Sequence, residues 1–171
     1  MSDKEVSAEI DFTDLAPTEP TPDDVEREDG YFVSWDDTEL YWQAWWKGEP
    51  EVCIALMHGY GEHSGRYHHV ASAFARAGCG VMAIDARGHG KSTGKRGHAH
   101  EYDHYVLDYE ELISRIEDRW PGVPVFSLGH SNGGLIVLLH ALRHDPRIVG
   151  YVVTSPFCGF KVEVPALKAA A

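Results

Sequence analysis

The sequence has no apolar run that approaches the roughly 18 residues needed for a transmembrane helix. Its acidic N-terminus also lacks the basic and then apolar layout of a secretory signal. The cysteines are odd in number and widely spaced, at Cys53, Cys79 and Cys158, and form neither a C-x-x-C pair nor a zinc pattern. These absences exclude a disulfide framework and predict a protein of the cytoplasm, without a transmembrane segment.

Basic residues are scarce, with 15 Lys and Arg against 27 Asp and Glu and a formal net charge of −12. Nucleic acid is therefore excluded as a partner, because phosphate binding requires a clustered basic face. The charge is uneven: eleven acids and two bases lie within the first 30 residues, which leaves 16 acids and 13 bases for the rest. With its prolines and few large apolar residues, the segment 1–28 is predicted to be a disordered tail, and 29–171 to be the folded part.

One motif places a serine between two glycines, in Gly129-His130-Ser131-Asn132-Gly133. A β-rich run, 123–128, precedes it, and a longer apolar run of good helix formers follows it. Strand, sharp turn and helix are the context of a nucleophile elbow, in which a strained turn lifts the serine hydroxyl clear of the sheet. We therefore expect Ser131 to be a nucleophile, and Gly129 and Gly133 to be glycine because side chains there would collide with backbone.

The remaining elements predict an α/β fold with a mostly parallel sheet that begins with an antiparallel hairpin. Amphipathic spacing predicts helices near 67–75 and 105–116, the second with Asp103 as N-cap. The expected hairpin strands are 31–35 and 40–46, and the further strands are 52–57, 79–84, 123–128 and 148–154.

Three unusual sequences follow three of these strands: 58–61, 85–90 and 129–133. Because ligands of open α/β sheets bind beyond the carboxyl ends of the strands, these sequences are expected to form one site. An acyl-transfer serine needs two backbone donors for the developing oxyanion. The candidates are the N–H of Asn132, directly after the serine, and that of Tyr60, in the loop after the strand 52–57.

At these positions the sequence resembles the monoacylglycerol lipase and lysophospholipase branch of the serine α/β-hydrolases, from about residue 28 to the end. The resemblance rests on His58-Gly-Tyr-Gly-Glu-His-Ser-Gly-Arg-Tyr67, Asp85-Ala-Arg-Gly-His-Gly-Lys-Ser92, Gly94-Lys-Arg-Gly-His98 and Gly129-His-Ser-Asn-Gly-Gly134. It implies an α/β-hydrolase fold and a cofactor-free esterase that acts on small monoacyl lipid esters. It also implies Ser131 as nucleophile, Tyr60 and Asn132 as oxyanion donors, and His58, Gly59, Gly129, His130 and Gly133 as supporting residues.

The sequence departs from this pattern in two ways. Many relatives have Met where Asn132 stands, which leaves a backbone donor intact. The second departure is larger, because the catalytic acid and histidine of the fold follow the serine on later loops, and only forty residues follow Ser131. His140, His144 and Asp145 lie roughly 14 Å or more along the next helix, beyond the reach of a general base. We therefore expect the N-terminal part of a hydrolase, ending near the start of the cap, with hydrolysis little above background.

Other interpretations remain at this stage. A metal site would draw on His63, His68 and His69, but they lack the H-E-x-x-H spacing. Arg87 and His89 could bind an anion, but the sequence favours a role in hydrogen bonds that fix their own loop. The chain could instead be a non-catalytic binding module or be completed by another polypeptide.

Within the enzyme class, a thioesterase, an aminopeptidase or an acyltransferase would share this N-terminal part of the fold. A transient contact with a membrane surface is compatible with the sequence, which leaves the oligomeric state open.

Overall fold

The computed structural model describes residues 24–143 and 145–159, which form a six-stranded sheet with helices on both faces. In chain order the elements are β1 (Glu26–Val33), β2 (Glu39–Trp46), β3 (Val52–Met57), α1 (His68–Arg76), β4 (Cys79–Ile84), α2 (Asp103–Arg119), β5 (Val125–His130), α3 (Asn132–Ala141) and β6 (Ile148–Thr154). A short 3-10 turn, Ser64–Tyr67, leads into α1.

The strand order across the sheet is β1-β2-β4-β3-β5-β6. β1 and β2 form the expected antiparallel hairpin, and β2 joins the sheet antiparallel to β4. β3 pairs parallel with both β4 and β5, and β5 pairs parallel with β6. The carboxyl ends of β3, β4 and β5 therefore lie side by side at one edge of the sheet, which confirms the predicted fold class and brings the three unusual loops together.

Alternation along the central strands supplies two cores, one on each face of the sheet. Cys53, Ala55 and Met57 of β3 face the larger core under α2 and α3, whereas Ile54 and Leu56 face the smaller core under α1. The α2 residues in the larger core recur at helical spacing, at Tyr105, Val106, Tyr109, Leu112, Ile113 and Ile116. The central strands β3 and β4 carry near-continuous apolar residues and are buried on both faces, as parallel strands in α/β proteins usually are.

The first strand begins earlier than the composition indicates. β1 starts at Glu26, inside the segment assigned to the tail. Its composition resembles that of a tail because β1 is an outer strand, on which charged side chains reach solvent and only Phe32 is buried. Val25 is 6% exposed and packs in the smaller core, while Asp24 pairs with Lys47 and Arg76. Residues 1–23 of the predicted tail lie outside the described residues.

Candidate active site

The turn between β5 and α3 has the strained backbone that the motif predicts. Ser131 has φ 52° and ψ −117°, a conformation that costs a non-glycine residue about 1–3 kcal/mol. Its N–H donates to Thr154 O over 2.9 Å, and its carbonyl accepts from Leu135 N and Phe157 N. The turn is therefore held from β6 and from the segment after it, as well as by α3.

The two flanking glycines are required by close backbone approach. A Cβ on Gly129 would lie 2.4 Å from Gly133 O, and one on Gly133 would lie 2.3 Å from Met57 O. Real Cβ atoms do not come so near to backbone oxygen, so either side chain would separate α3 from the strands beneath it. The steric reason that the sequence indicates for these glycines is correct.

The loop after β3 lies directly beside the serine. A methyl group on Gly59 would stand 3.3 Å from Ser131 Cβ. Gly59 N donates to Glu62 Oε2 over 3.0 Å, and the same oxygen accepts from Tyr67 Oη over 2.7 Å. Burial alone would raise the pKa of Glu62, but these hydrogen bonds outweigh it and lower the pKa, so Glu62 is a carboxylate.

His58 fixes the same loop from the other side. Ala86 N donates to His58 Nε2 over 2.9 Å, so the proton of the neutral ring is on Nδ1, which donates to Gly59 O over 2.7 Å. The Gly59 carbonyl and the Tyr60 N–H belong to one planar peptide. The imidazole therefore sets the direction of the Tyr60 N–H. Burial lowers the pKa of His58 to about 4, which keeps the ring neutral.

Both expected oxyanion donors lack a hydrogen-bond acceptor in the part of the chain that the structure describes. Within residues 24–143 and 145–159, neither Tyr60 N nor Asn132 N donates to a protein acceptor. Asn132 is the first residue of α3, where helix geometry leaves the N–H groups without intrahelical partners and the dipole favours negative charge. The elbow and the loop after β3 thus present two backbone donors and one hydroxyl at the same end of the sheet.

The side chains of Tyr60 and Asn132 are held by different parts of the structure. Tyr60 is 62% exposed and its hydroxyl donates to Gly97 O over 3.1 Å. Asn132 is nine-tenths buried, and its Oδ1 accepts from Tyr102 Oη over 2.8 Å. His130, the residue before the serine, places Nδ1 2.9 Å from Thr154 Oγ1.

The loop after β4 braces the site through Asp85. Asp85 Oδ1 accepts from both the N–H and the hydroxyl of Ser64, and Oδ2 accepts from Lys91 N over 2.8 Å. A Cβ on Gly90 would lie 2.0 Å from Asp85 Oδ2, which explains the glycine there. The loop after β4 is thereby tied to the turn that precedes α1.

Arg87 and His89 fix their loop, as the sequence favours. The Arg87 guanidinium binds the carboxylates of Asp108 and Asp36, and His89 Nδ1 donates to Arg87 O over 3.0 Å. His68 accepts from Trp45 Nε1, and no cluster of three metal-ligating side chains occurs in the described part of the chain.

No general base for Ser131 is found among the described residues, in which no side chain hydrogen-bonds to its hydroxyl. His140 lies at the far end of α3, buried, with Nε2 3.4 Å from Asp145 Oδ2. His144 lies outside the described residues.

An open groove of about 390 Å³ runs beside the elbow, between α1 and the ends of β5 and β6. Its apolar walls come from Met57, Tyr67, Val70, Phe74 and Leu128, and its polar rim from Glu62, Arg66, His69, His130 and Thr154. Of the described helices, none combines the length and the apolar character required to cross a bilayer.

Sequence reasoning did not identify Glu62 or Tyr102 as part of the site. Glu62 could have been suggested by its position three residues after Gly59, where a carboxylate can accept from a loop N–H. Tyr102 carries no such signal, because its contact with Asn132 joins residues 30 positions apart.

Comparisons with known proteins agree with this architecture. The family model described as serine aminopeptidase, S33 (Hydrolase_4) matches residues 48–171. The monoacylglycerol lipase of Mycolicibacterium smegmatis is 42% identical over 108 residues, 63% of this chain and 39% of the relative. Human monoglyceride lipase is 36% identical over 138 residues, 80% of this chain and 46% of the relative.

Among solved structures, the monoacylglycerol lipase of Paleococcus ferrophilus matches with a TM-score of 0.61 and 33% identity, over 85% of this chain and 49% of that one. The chain therefore spans less than half the length of each of these three relatives. The match over residues 48–171 includes the elbow, the loop after β3 and the loop after β4. This chain belongs to the serine aminopeptidase S33 family of α/β-hydrolases.

Proposed function

We propose that this chain provides the nucleophile and the oxyanion site of a serine hydrolase that cleaves carboxylic esters of monoacyl lipids. The observation that carries the proposal is the strained Ser131 turn, which stands beside the backbone N–H groups of Tyr60 and Asn132, neither of which has an acceptor among the described residues. Two such donors are what a tetrahedral acyl-transfer intermediate requires. The substrate class is supported by the relatives, which are named monoacylglycerol or monoglyceride lipases.

In the proposed reaction Ser131 Oγ attacks the acyl carbonyl while a general base accepts the hydroxyl proton. The carbonyl oxygen becomes negative and accepts hydrogen bonds from Tyr60 N and Asn132 N. The tetrahedral intermediate then collapses, the C–O bond to the alcohol breaks, and the leaving alkoxide takes the proton. Water deacylates Ser131 by the same steps. The base and its supporting acid would come from polypeptide other than the described residues.

The proposal includes a cytoplasmic enzyme that needs no cofactor and meets its substrate during transient contact with a membrane or micelle surface. The cysteine pattern supports the location, because Cys53, Cys79 and Cys158 are all free thiols.

The test joins this chain to the part of the Mycolicibacterium smegmatis relative that lies beyond the matched region. We expect the 171-residue chain alone to hydrolyse monoacylglycerol at background rate and the fusion to turn it over. Ser131→Ala should lower kcat of the fusion by at least roughly a thousandfold. Ser127→Ala is the matched control, because Ser127 is fully buried within β5 and makes no part of the turn.

A fluorophosphonate probe supplies a second readout, since it should add its mass to the peptide that contains Ser131. Hydrolysis that survives Ser131→Ala, or a folded fusion that neither turns over ester nor takes the probe, would refute the proposed function.

A non-catalytic binding module is the second candidate, favoured by the exposed apolar side chains of β5 and β6. Phe126 is 37% exposed, Val149 58% and Val152 49%. A fusion that fails both assays, while the 171-residue chain melts cooperatively as a monomer, would favour this function instead.

A further inference from the structure

Tyr102 makes a contact that joins α2 to the residue after the nucleophile. It directly precedes α2, and its hydroxyl donates to Asn132 Oδ1 over 2.8 Å. Asn132 is 9% exposed and Tyr102 is 37% exposed, so this hydrogen bond is partly buried. Among the described residues, the Tyr102 hydroxyl is the hydrogen-bond partner of the Asn132 side chain. The backbone N–H of Asn132 is one of the two proposed oxyanion donors.

A continuous row of rings leads from Tyr102 to the second donor. The ring centroids of Tyr102 and Tyr105 are 5.5 Å apart, and those of Tyr105 and His89 are 6.3 Å apart. His89 then contacts Tyr60 at 5.3 Å with its ring plane nearly perpendicular, at 80°. These are the distances and angles of favourable edge-to-face contacts. The four rings, Tyr102, Tyr105, His89 and Tyr60, are called the aromatic row below.

The aromatic row is held at its centre and at both of its ends. Tyr105 is 5% exposed and His89 is 5% exposed, so its centre is packed. The Tyr60 hydroxyl donates to Gly97 O, and a Cβ on Gly97 would stand 2.6 Å from that hydroxyl. One end of the row is thus anchored on the loop after β4, and the other end is anchored on Asn132.

We propose that Tyr102 is a positioning residue of the oxyanion site, which acts through Asn132 and sets the spacing of the Tyr60 and Asn132 N–H groups by means of the aromatic row. The two donors stand on separate elements, the loop after β3 and the first turn of α3. Donors must be held within about 0.5 Å of the productive geometry to stabilise an oxyanion. A packed row that touches both elements meets this requirement.

The inference rests on the proposed function, and its test uses the full natural product of the gene that encodes this chain. Tyr102→Phe removes the hydroxyl and retains the ring. Since the loss of a whole oxyanion donor costs about 10²–10³ in kcat, we expect misalignment of one donor to lower kcat roughly tenfold. KM should stay within about twofold, because the ground-state carbonyl depends little on the donors. Tyr31→Phe is the matched control: it removes a hydroxyl from an exposed ring on β1, outside the aromatic row.

A double-mutant cycle separates positioning from general loss of packing. Asn132→Ala retains the backbone N–H but removes the 2.8 Å acceptor of the Tyr102 hydroxyl, and leaves only the backbone oxygen of residue 132, at 3.4 Å. Tyr102→Phe should therefore have a much smaller effect on kcat in that background. Amide chemical shifts supply a readout independent of turnover: the N–H signals of Tyr60 and Asn132 should both move in Tyr102→Phe and stay unchanged in Tyr31→Phe.

The outcomes are distinguishable. Unchanged kcat in Tyr102→Phe, with activity that still depends on Ser131, overturns the inference and leaves the proposed function intact. Additive effects of Tyr102→Phe and Asn132→Ala on kcat overturn it as well. If neither the natural product nor the fusion described above shows hydrolysis that depends on Ser131, the proposed function fails, and the chemical shifts of the Tyr60 and Asn132 amides decide the positioning role by themselves.

Discussion

At the scale of single residues, Gly133 shows how tightly the elbow is packed. A methyl group there would lie 2.3 Å from Met57 O and 2.5 Å from His58 O, both of which are backbone atoms that cannot turn aside. We expect Gly133→Ala to lower the free energy of unfolding by about 3 kcal/mol, at the upper end of overpacking costs. Urea denaturation measures the change.

The control for this glycine is Gly48→Ala. Gly48 has φ +65°, and a methyl group there would meet no atom within 4 Å, so only the left-handed backbone penalty of about 1 kcal/mol applies. Equal losses at the two positions would show that close approach to β3 is not what requires glycine at 133.

His58 predicts a pH dependence of stability. Burial lowers its pKa to about 4 from 6.5, so the unfolded chain binds a proton between these values that the folded chain does not. The contribution is fully present above pH 6.5 and is lost as the pH falls towards 4, by roughly 3 kcal/mol in all. Burial also lowers the pKa of His63, His89 and His140, so a difference measurement is required.

The measurement compares the wild type with His58→Gln by urea denaturation from pH 7 to pH 4. The variant should lose less stability over this interval because one of the buried imidazoles is gone. The same slope in both proteins would mean that His58 is not the neutral, buried group that orients the Gly59–Tyr60 peptide.

At the scale of elements, one buried ion pair joins the hairpin, the loop after β4 and α2. Arg87 donates to Asp108, whose side chain is fully buried, and to Asp36 in the hairpin turn. Arg87→Met would leave the Asp108 carboxylate buried without its partner, so we expect a loss of about 3–5 kcal/mol in the free energy of unfolding. Guanidinium denaturation measures it.

Two variants test whether burial of the unpaired charge is the cause. Arg87→Met with Asp108→Leu removes both charges and should recover most of the loss. Arg143→Met breaks the pairs with Asp103 and Glu110, where the guanidinium is about one-third exposed, and should cost about 1 kcal/mol or less. A double variant no more stable than Arg87→Met alone would refute the explanation.

The strands show what could be predicted from the sequence at this scale. β3 and β4 have the bounds that their apolar runs indicate, because burial on both faces leaves a continuous signal. β6 also has its predicted bounds although only Ile148 is buried, because its run is rich in β-branched residues. The predicted start of β1 is too late, since an outer strand with charged side chains resembles the acidic segment before it. The order of β4 between β2 and β3 has no local signal, because it is set by pairings between distant residues.

Asp103 illustrates a wrong prediction of detail. It is the first residue of α2 and not its N-cap, which is Tyr102 without a side-chain cap. The Asp103 carboxylate instead pairs with Arg143 at the end of α3, so a contact between two helices replaces the local one. The glycines of the elbow were predictable for the opposite reason, because the motif is a short run of adjacent residues, even though the atoms that exclude a side chain at Gly133 belong to the distant Met57 and His58.

At the scale of the whole molecule, the two outer strands differ in how they resist association. β1 carries Glu26, Arg27, Glu28 and Asp29, whereas β6 carries no charged residue. In the described part of the chain no strand pairs with the outer side of β6, and its Val149 and Val152 are exposed. Charged edges discourage strand pairing between molecules, and an apolar uncharged edge permits it. We therefore expect the 171-residue chain to associate reversibly through β6.

Light scattering after size-exclusion chromatography checks this expectation over a range of protein concentrations. Val152→Lys places a charge on the exposed part of β6 and should shift the chain towards monomer, because pairing would bring like charges together. Val33→Lys is the matched control on β1, where Val33 is 59% exposed and the strand is already charged. If both variants dissociate the assembly equally, or neither does, association does not occur through β6, and the exposed apolar face of β5 becomes the surface to test through Phe126.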